Sequence, residues 1–92
     1  MKYEISRECT RILKRLDVRV RNGFWKSLKV FEKNPNDPSL DHKELKRNLK
    51  GFWKIDITED DKCAAIYELI KEGDEEIAYF IQVGKKETLY SE

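Results

Sequence analysis

The residues of this 92-residue chain that are best suited to chemistry are clustered cations. From His42 to Lys54 there are five Lys or Arg residues against one acid, Glu44, and residues 6–33 contain nine against three acids. Such clusters can hold the phosphates of a nucleic acid and stabilise negative charge that develops during a reaction. His42 is the only histidine, so it is the only side chain whose ordinary pKa suits proton transfer near neutral pH. The alternative is that these segments are solvated surface, which charge alone does not exclude.

An acidic segment follows the basic ones and reverses the sign of the charge along the chain. Residues 56–76 contain nine acids against two lysines, although the net charge of the whole chain is only +1. The molecule is therefore expected to be an electrical dipole with a basic face and an acidic edge. Glu59, Asp60 and Asp61 fall at an expected hairpin turn, where Asp is favoured and solvent screens its charge. Of this run of acids, only Asp56 bears on the chemistry.

Length and composition predict one small globular domain spanning residues 1–92, because a chain of this size can close only one core. Its apolar residues fall in short periodic clusters, which is not typical of a disordered chain even though 40% of the residues are charged. No apolar run approaches the roughly 20 residues of a membrane span, and the N-terminus lacks a secretory signal, so we expect a cytoplasmic protein. Cys9 and Cys63 are predicted to be small core residues. We expect no metal and no other cofactor.

The first third of the chain has the pattern of a short strand followed by two helices. Residues 3–5 can form an edge strand, and Ser6 and Asp17 are each placed to cap a helix. Gly23 weakens the second helix by up to about 1 kcal/mol relative to alanine, unless a neighbouring segment needs to approach there. The apolar residues of both helices recur at helical spacing and predict a helical hairpin: Cys9, Ile12, Leu13 and Leu16, then Val20, Phe24, Leu28 and Phe31.

The rest of the chain predicts a linker, a basic loop and a three-stranded meander. Residues 34–39 cannot continue a helix because both prolines lack a donor. Residues 40–50 are expected to form an ordered loop with one helical turn, anchored on the core by Leu40, Leu45 and Leu49. The apolar residues then alternate with a period of two, which predicts three antiparallel strands in an α+β fold. We expect one face of this sheet to cover the helices and the other to carry Lys54 and Asp56 toward a cleft or solvent.

Three stretches of the sequence resemble the RelE/ParE superfamily of toxins from bacterial and archaeal toxin–antitoxin systems. They are LKRNLKGFWKI at residues 45–55, AIYEL at residues 65–69 and VGKKETLY at residues 83–90. The resemblance implies a RelE-like, microbial-ribonuclease-like fold and a cognate antitoxin that wraps and neutralises the toxin, so that the protein is a monomer or part of a toxin–antitoxin hetero-oligomer. For the RelE-like branch it implies cleavage of mRNA on the translating ribosome. ParE-like members instead poison DNA gyrase, and a degenerate member would keep only its antitoxin contact.

The resemblance also implies roles for particular residues. Cleavage of RNA without a metal needs an aligned 2′-hydroxyl, cations that stabilise the crowded phosphorane, and a proton donor for the leaving 5′-oxygen. In the family these roles fall to basic residues on the sheet, a basic residue or histidine after the last strand, and a terminal aromatic on which a base stacks. Lys54, Lys86 and Tyr90 match these positions. His42 lies one position away from a catalytic histidine of several relatives, and its alternative is an exposed loop residue. The candidates for holding RNA phosphates are Lys43, Lys46, Arg47, Lys50 and Lys62.

Asp56 departs from the family pattern, because relatives commonly carry an arginine at its position. They carry a second arginine where this chain has Lys62 or Cys63. Two like unit charges about 4 Å apart cost about 4 kcal/mol at an effective dielectric constant near 20, so a carboxylate that faces a phosphate would oppose cleavage. Asp56 is therefore expected to be paired with Lys54, Lys62 or Lys86, or to act as the general base for the 2′-hydroxyl. The third possibility is that the nuclease chemistry is lost or changed.

Overall fold

The chain folds into a five-stranded sheet whose inner face is covered by two helices. The computed structural model describes residues 1–90, so the last two residues of the predicted domain lie outside it. The elements are β1 Tyr3–Ile5, α1 Arg7–Arg15, α2 Val18–Lys33, β2 Lys43–Glu44, β3 Phe52–Asp56, β4 Cys63–Glu72, β5 Glu75–Lys85 and α3 Lys86–Leu89, with short 3-10 turns at Pro38–Leu40 and Arg47–Leu49. The predicted α+β class is confirmed.

Both helices begin at the residues that the sequence predicts. The Ser6 hydroxyl accepts a hydrogen bond from the Cys9 backbone N–H at 3.0 Å, and the Asp17 carboxylate accepts one from the Val20 N–H at 3.0 Å. These side chains satisfy donors that the first turn of a helix leaves without a partner. Even α2, with 16 residues, is too short and too polar to cross a bilayer, and the same holds for the other helices of residues 1–90.

The sheet contains the predicted meander and two further strands. Its strand order is β1-β5-β4-β3-β2, in which β3, β4 and β5 pair antiparallel as expected. β1 runs parallel to β5, and β2 pairs antiparallel with β3. The loop that was expected at residues 40–50 therefore contains a strand, which was missed because two residues are too few to show a periodic pattern. This pairing places Lys43 directly opposite Lys54.

The helices pack closely on the inner face of the sheet, and Gly23 makes this possible. A Cβ atom at Gly23 would lie 2.1 Å from the carbonyl oxygen of Ile57, so α2 and the chain just after β3 approach each other at this residue. The glycine therefore serves the close approach that the sequence analysis left open. Cys9 and Cys63 are buried in this core, as predicted. The core combines residues of α1, α2 and the inner face of the sheet, among them Leu13, Phe24, Leu28, Phe31, Ile55, Tyr67 and Phe80.

The outer face of the sheet is also covered, which differs from the expectation. A second apolar cluster contains Leu45, Ala64, Ile66 and Tyr90, with Leu49, Phe52, Ile81 and Leu89 packed against it. Lys54 and Asp56 lie on this face, but only 1% and 5% of their surfaces are exposed. The prediction that they face a cleft or solvent is wrong, because the basic loop and the C-terminal segment fold over them.

Candidate active site

Four charged side chains on the outer face form a connected group, here called the ion network: Asp41, Lys54, Asp56 and Lys86. The Lys54 Nζ atom lies 2.7 Å from Asp41 Oδ2 and 2.8 Å from Asp56 Oδ1. The Lys86 Nζ atom lies 2.9 Å from the same Oδ1 atom of Asp56. The network therefore consists of two ammonium groups that are bridged by one carboxylate, with a second carboxylate on Lys54.

Strand geometry explains how three members of the network come together. Lys54 and Asp56 are two residues apart on β3, so their side chains point to the same face. Asp56 lies opposite Ala64 on β4, and Ala64 lies opposite Gly84 on β5. Lys86 follows two residues after Gly84, at the start of α3. The end of β5 thus delivers the Lys86 amine to the Asp56 carboxylate.

The ion network keeps Lys54 charged although this side chain is buried. Burial by itself lowers the pKa of Lys54, but the hydrogen bonds to Asp41 and Asp56 outweigh this effect, and the pKa is raised above its ordinary value. Its hydrogen bond to Lys54 lowers the pKa of Asp41. Both members of this pair are therefore ionised near neutral pH.

The unexpected acid of the site, Asp56, is paired. The sequence left Lys54, Lys62 and Lys86 open as ion-pair partners of Asp56. In the structure Asp56 is paired with Lys54 and Lys86 and not with Lys62. Asp56 and its two ammonium partners together carry a formal charge of +1, and Asp41 brings the four-member network to zero, so the network presents no net negative charge to a phosphate. This pairing therefore removes the repulsion that was expected between Asp56 and a phosphate of the substrate.

Tyr90 lies beside the network and forms part of a cavity. Its ring packs in the outer apolar cluster, and its electrostatic interaction with Lys54 adds to the raised pKa of that lysine. The cavity has a volume of about 340 Å³ and is open to solvent. Its lining includes three of the five predicted RNA-binding residues together with Tyr90: Lys43, Glu44, Leu45, Lys46, Arg47, Leu49 and Tyr90.

The other two predicted RNA-binding residues lie elsewhere. Lys50 is exposed just after the 3-10 turn that ends at Leu49. Lys62 lines a different cavity of about 370 Å³ with Lys85, Lys86 and Glu87. Lys86 thus borders this second cavity while its amine contacts the ion network. The outer face offers basic side chains on two sides of the network.

His42 is not brought to the ion network. Its ring stacks on Trp53 at a centroid distance of 5.0 Å and on Tyr67 at 5.7 Å, and both of these side chains belong to the inner face. The Nε2 atom is hydrogen-bonded to the Tyr67 hydroxyl, and Nδ1 lies 3.3 Å from Asn36 Oδ1. Burial, with a smaller contribution from the charge of Lys54, lowers the pKa of His42. His42 lies in a loop, as the alternative predicts, but it is half-buried and not exposed. The predicted catalytic role remains a prediction that these contacts do not favour.

Comparison with known proteins gives a match in structure alone. No family model matches the sequence, and no curated protein matches it. Among solved structures, YafQ from Escherichia coli matches with a TM-score of 0.72 and 17% identity over 98% of each chain. The YoeB/ParE toxin from Agrobacterium tumefaciens matches with a TM-score of 0.68 and 19% identity, over 92% of this chain and 98% of that chain. The RelBE2 toxin–antitoxin complex from Mycobacterium tuberculosis contains a chain that matches with a TM-score of 0.69 and 14% identity, over 91% and 95%.

The fold is that of the RelE/ParE toxins. The resemblance that the sequence motifs suggested is therefore confirmed at the level of the fold. Within this RelE-like fold, the motif residues 45–55 form the 3-10 turn and most of β3, and the motif residues 83–90 form the end of β5, α3 and Tyr90. Identities of 14% to 19% carry no information about chemistry, so the function has to be argued from the site itself.

Sequence reasoning missed one member of the ion network, Asp41. This residue ends the 3-10 turn at Pro38–Leu40 and has a left-handed backbone, with φ 44° and ψ 50°. That conformation is uncommon for residues other than glycine, although Asp and Asn adopt it more easily than most. A left-handed residue next to a short strand is set by the path of the chain, so no pattern in the sequence indicates that Asp41 reaches Lys54.

Proposed function

We propose that this protein is the toxin of a type II toxin–antitoxin system and that it cuts mRNA on the ribosome. The observation that carries the proposal is the position of Lys54, Lys86 and Tyr90 on one face of the sheet, with Asp56 linking the two lysines. Had these groups been scattered over opposite sides of the molecule, metal-free cleavage would have no site. The fold shared with YafQ and the YoeB/ParE toxin supports the same conclusion.

Lys54 and Lys86 supply the positive charges that RNA cleavage requires. In such a reaction the 2′-oxygen attacks the neighbouring phosphorus, the phosphorane gains negative charge, and the 5′-oxygen leaves with a proton. Lys86 is the accessible cation, with 25% of its side chain exposed, and it is the proposed proton donor. In this proposal the Lys54 ammonium group stabilises the negative charge of the phosphorane. Asp56 holds both amines in place, and it accepts the proton of the 2′-hydroxyl only if it gives up one of these ion pairs, because 4% of its side chain is exposed.

The cavity beside Tyr90 is the proposed position of the nucleotide. In this proposal a base stacks on the Tyr90 ring, an interaction that suits any base because each has a π face. Only 8% of the Tyr90 surface is exposed, so stacking requires side chains of the outer apolar cluster to move away from the ring. Lys43, Lys46 and Arg47 hold the phosphates on either side of the cleavage position. The proposed substrate is therefore single-stranded RNA that lies along the basic loop. Lys86 does not line this cavity but borders the second one, so the RNA has to extend from one cavity to the other to reach it.

The proposed reaction requires the ribosome to align the mRNA. With 1% of its surface exposed, Lys54 is reached by a phosphate, free or held on the ribosome, only when the residues that cover it move. A ribosome holds mRNA in an extended conformation and supplies the alignment that the free protein lacks. We expect the isolated protein to cut free RNA poorly. Ribosome and mRNA are thus the proposed targets in the cytoplasm, and an antitoxin is the proposed partner, as RelBE2 is a toxin–antitoxin complex.

A second candidate function is supported by a different surface. The solvent side of α2 carries two exposed apolar side chains, Val18 at 60% and Trp25 at 47%, among the basic residues of the helices. They lie seven residues apart and therefore share a face of the helix. Such a surface suits a ParE-like toxin that binds DNA gyrase without cutting RNA. In that case the network would be structural.

One experiment separates these functions. The protein is induced alone in bacteria, growth is followed, and mRNA ends are mapped beside variants with Lys86→Gln or Tyr90→Leu, which keeps an apolar side chain in the cluster. Lys71→Gln, at an exposed position near the far end of β4, is the matched control. The ribonuclease proposal requires cuts in phase with codons that vanish in the first two variants and persist in the control.

The other outcomes identify the alternatives. Arrest with a DNA damage response, no new mRNA ends and loss of toxicity in Trp25→Ala would support the gyrase function. No arrest at all would indicate a degenerate toxin that retains only its antitoxin contact. Either result would rule out the proposed ribonuclease.

A further inference from the structure

Lys54 is held by two carboxylates that differ in how freely they can move. Asp56 is on a central part of the sheet, and 4% of its side chain is exposed. Asp41 is on a loop, and 60% of its side chain is exposed although its Oδ2 atom lies only 2.7 Å from Lys54 Nζ. One partner of this lysine is therefore fixed, and the other can leave by rotation of a side chain into solvent.

The backbone on both sides of Asp41 is well anchored. Leu40 is buried in the inner core with 1% of its surface exposed, and the His42 ring packs against the rings of Trp53 and Tyr67. The left-handed conformation of Asp41 directs its carboxylate over the edge of the sheet to Lys54. Because its neighbours are fixed, the carboxylate can leave and return without any change in the fold.

The Asp41 carboxylate meets Lys54 as a phosphate oxygen would. Both are anionic oxygens that accept a hydrogen bond from an ammonium group at about 2.7–2.9 Å. Replacing Asp41 by a phosphate keeps the buried Lys54 compensated, so the exchange avoids the large cost of an isolated buried charge. Asp41 also lies within 3.9 Å of Lys43, which lines the cavity beside Tyr90. The carboxylate thus contacts both the buried amine and a lysine that lines this cavity.

We propose that Asp41 is a gate on Lys54: in the free protein its carboxylate occupies the position beside the amine that a phosphate of the substrate takes, and it leaves when that phosphate binds. The identity of the substrate rests on the proposed function, whereas the exchange of one anion for another does not. Asp41 is a positioning residue, since it acts through Lys54. The Asp41 carboxylate is tethered beside Lys54 and has a high effective concentration there, which a free anion must overcome. A phosphate that the ribosome aligns is tethered in the same way. The gate therefore favours aligned RNA over free RNA.

Titration with inorganic phosphate tests the gate, with the NMR signal of the Lys54 ammonium group as the readout. The variant is Asp41→Asn, which keeps the left-handed backbone accessible and removes the charge. The control is Asp61→Asn, because Asp61 is exposed at the tip between β3 and β4, has φ 62°, and loses the same charge. We expect phosphate to bind Asp41→Asn roughly threefold more tightly than wild type, an effect of the size that one partly exposed ion pair allows. Asp61→Asn should bind as wild type does.

Two results would overturn the gate. If both variants tighten phosphate binding equally, the effect is one of net charge and not of Asp41. If phosphate leaves the Lys54 signal unchanged in wild type and in Asp41→Asn, Lys54 is not a site for anions. A mere loss of packing in Asp41→Asn would lower its thermal stability but would not make the Lys54 signal more sensitive to phosphate. The titration gives this answer whether or not the protein cuts mRNA, so failure of the gate and failure of the proposed function are distinguishable.

Discussion

The two faces of the sheet are both shielded from solvent, but they are closed by different kinds of contact. On the inner face, Phe80 packs edge to face against Phe24 and Phe31 at centroid distances of 5.9 and 5.5 Å. On the outer face, a smaller apolar cluster surrounds Lys54 and Asp56. The inner face gains stability directly from burying apolar surface. The outer face buries charges whose removal from water costs about as much as their pairing returns.

This difference indicates that the outer face is the better candidate for the functional site. Well-packed apolar residues in place of a buried ion pair are often as stable or more stable, so stability alone does not account for the network. A lysine kept charged beneath a cavity lined by basic residues suits the binding of phosphate. The inner face, with its aromatic packing, provides the rigid support on which such a site depends.

The largest expected effect comes from breaking the network on the outer face. Lys54→Met should lower the free energy of unfolding by about 3 kcal/mol, at the low end of the range for a broken buried pair because Asp56 keeps Lys86. Urea denaturation measures this change. Adding Asp56→Leu to Lys54→Met should restore most of the loss, since no charge is then left buried. A double variant no more stable than the single one would show that the network is a source of stability, and the contrast between the faces would fail.

A somewhat smaller effect is expected on the inner face at Gly23. Alanine there favours the helix by up to about 1 kcal/mol but would force α2 away from the carbonyl of Ile57. We expect Gly23→Ala to lower the free energy of unfolding by about 1–3 kcal/mol, the range for an overpacked site. Asn22→Ala, at an exposed position of the same helix, is the control. Equal stability of Gly23→Ala and wild type would mean that the two layers are not in rigid contact.

A pH effect is expected from His42, whose ring belongs to the inner face. Its pKa in the folded protein is lowered by burial, so below the ordinary value of about 6.5 the unfolded chain binds the proton more readily. The stability from the neutral ring is therefore complete above that pH and is lost as the pH falls below it. Unfolding measured from pH 7.5 to 5.5 should show this decrease in wild type and a flatter profile in His42→Gln. Identical profiles would contradict the buried, neutral histidine.

The smallest effect concerns RNA binding at the rim of the outer face. Replacing Lys46 by alanine should reduce the slope of log K against log salt concentration by about 0.7, the value for one contact to a single-stranded phosphate. Binding of a non-cleavable oligonucleotide at several salt concentrations measures this slope. Lys71→Ala should leave it unchanged. A reduced slope in both variants would show that RNA binds without using the cavity beside Tyr90.

Local patterns in the sequence were enough to predict much of the fold. The caps at Ser6 and Asp17, the helical spacing, the three alternating strands and the burial of both cysteines depend on residues that are close in sequence or on the period of their own element. The sequence also left open a close approach at Gly23, because glycine is costly inside a helix, and only the structure showed it. The same reasoning could not detect β2, since two residues give no period.

The sequence by itself determined β1, the two long helices, the three strands of the meander and which residues carry charge on the outer face. The tertiary structure decided that Lys54 is buried, that Asp56 joins it to Lys86, that Asp41 closes over it and that His42 turns to the opposite face. These outcomes depend on the left-handed backbone of Asp41 and on strand pairing that brings side chains distant in sequence within 3 Å of each other. The energy of a buried charge is set by such distances and by exclusion of water, and neither is encoded in the local pattern of residues.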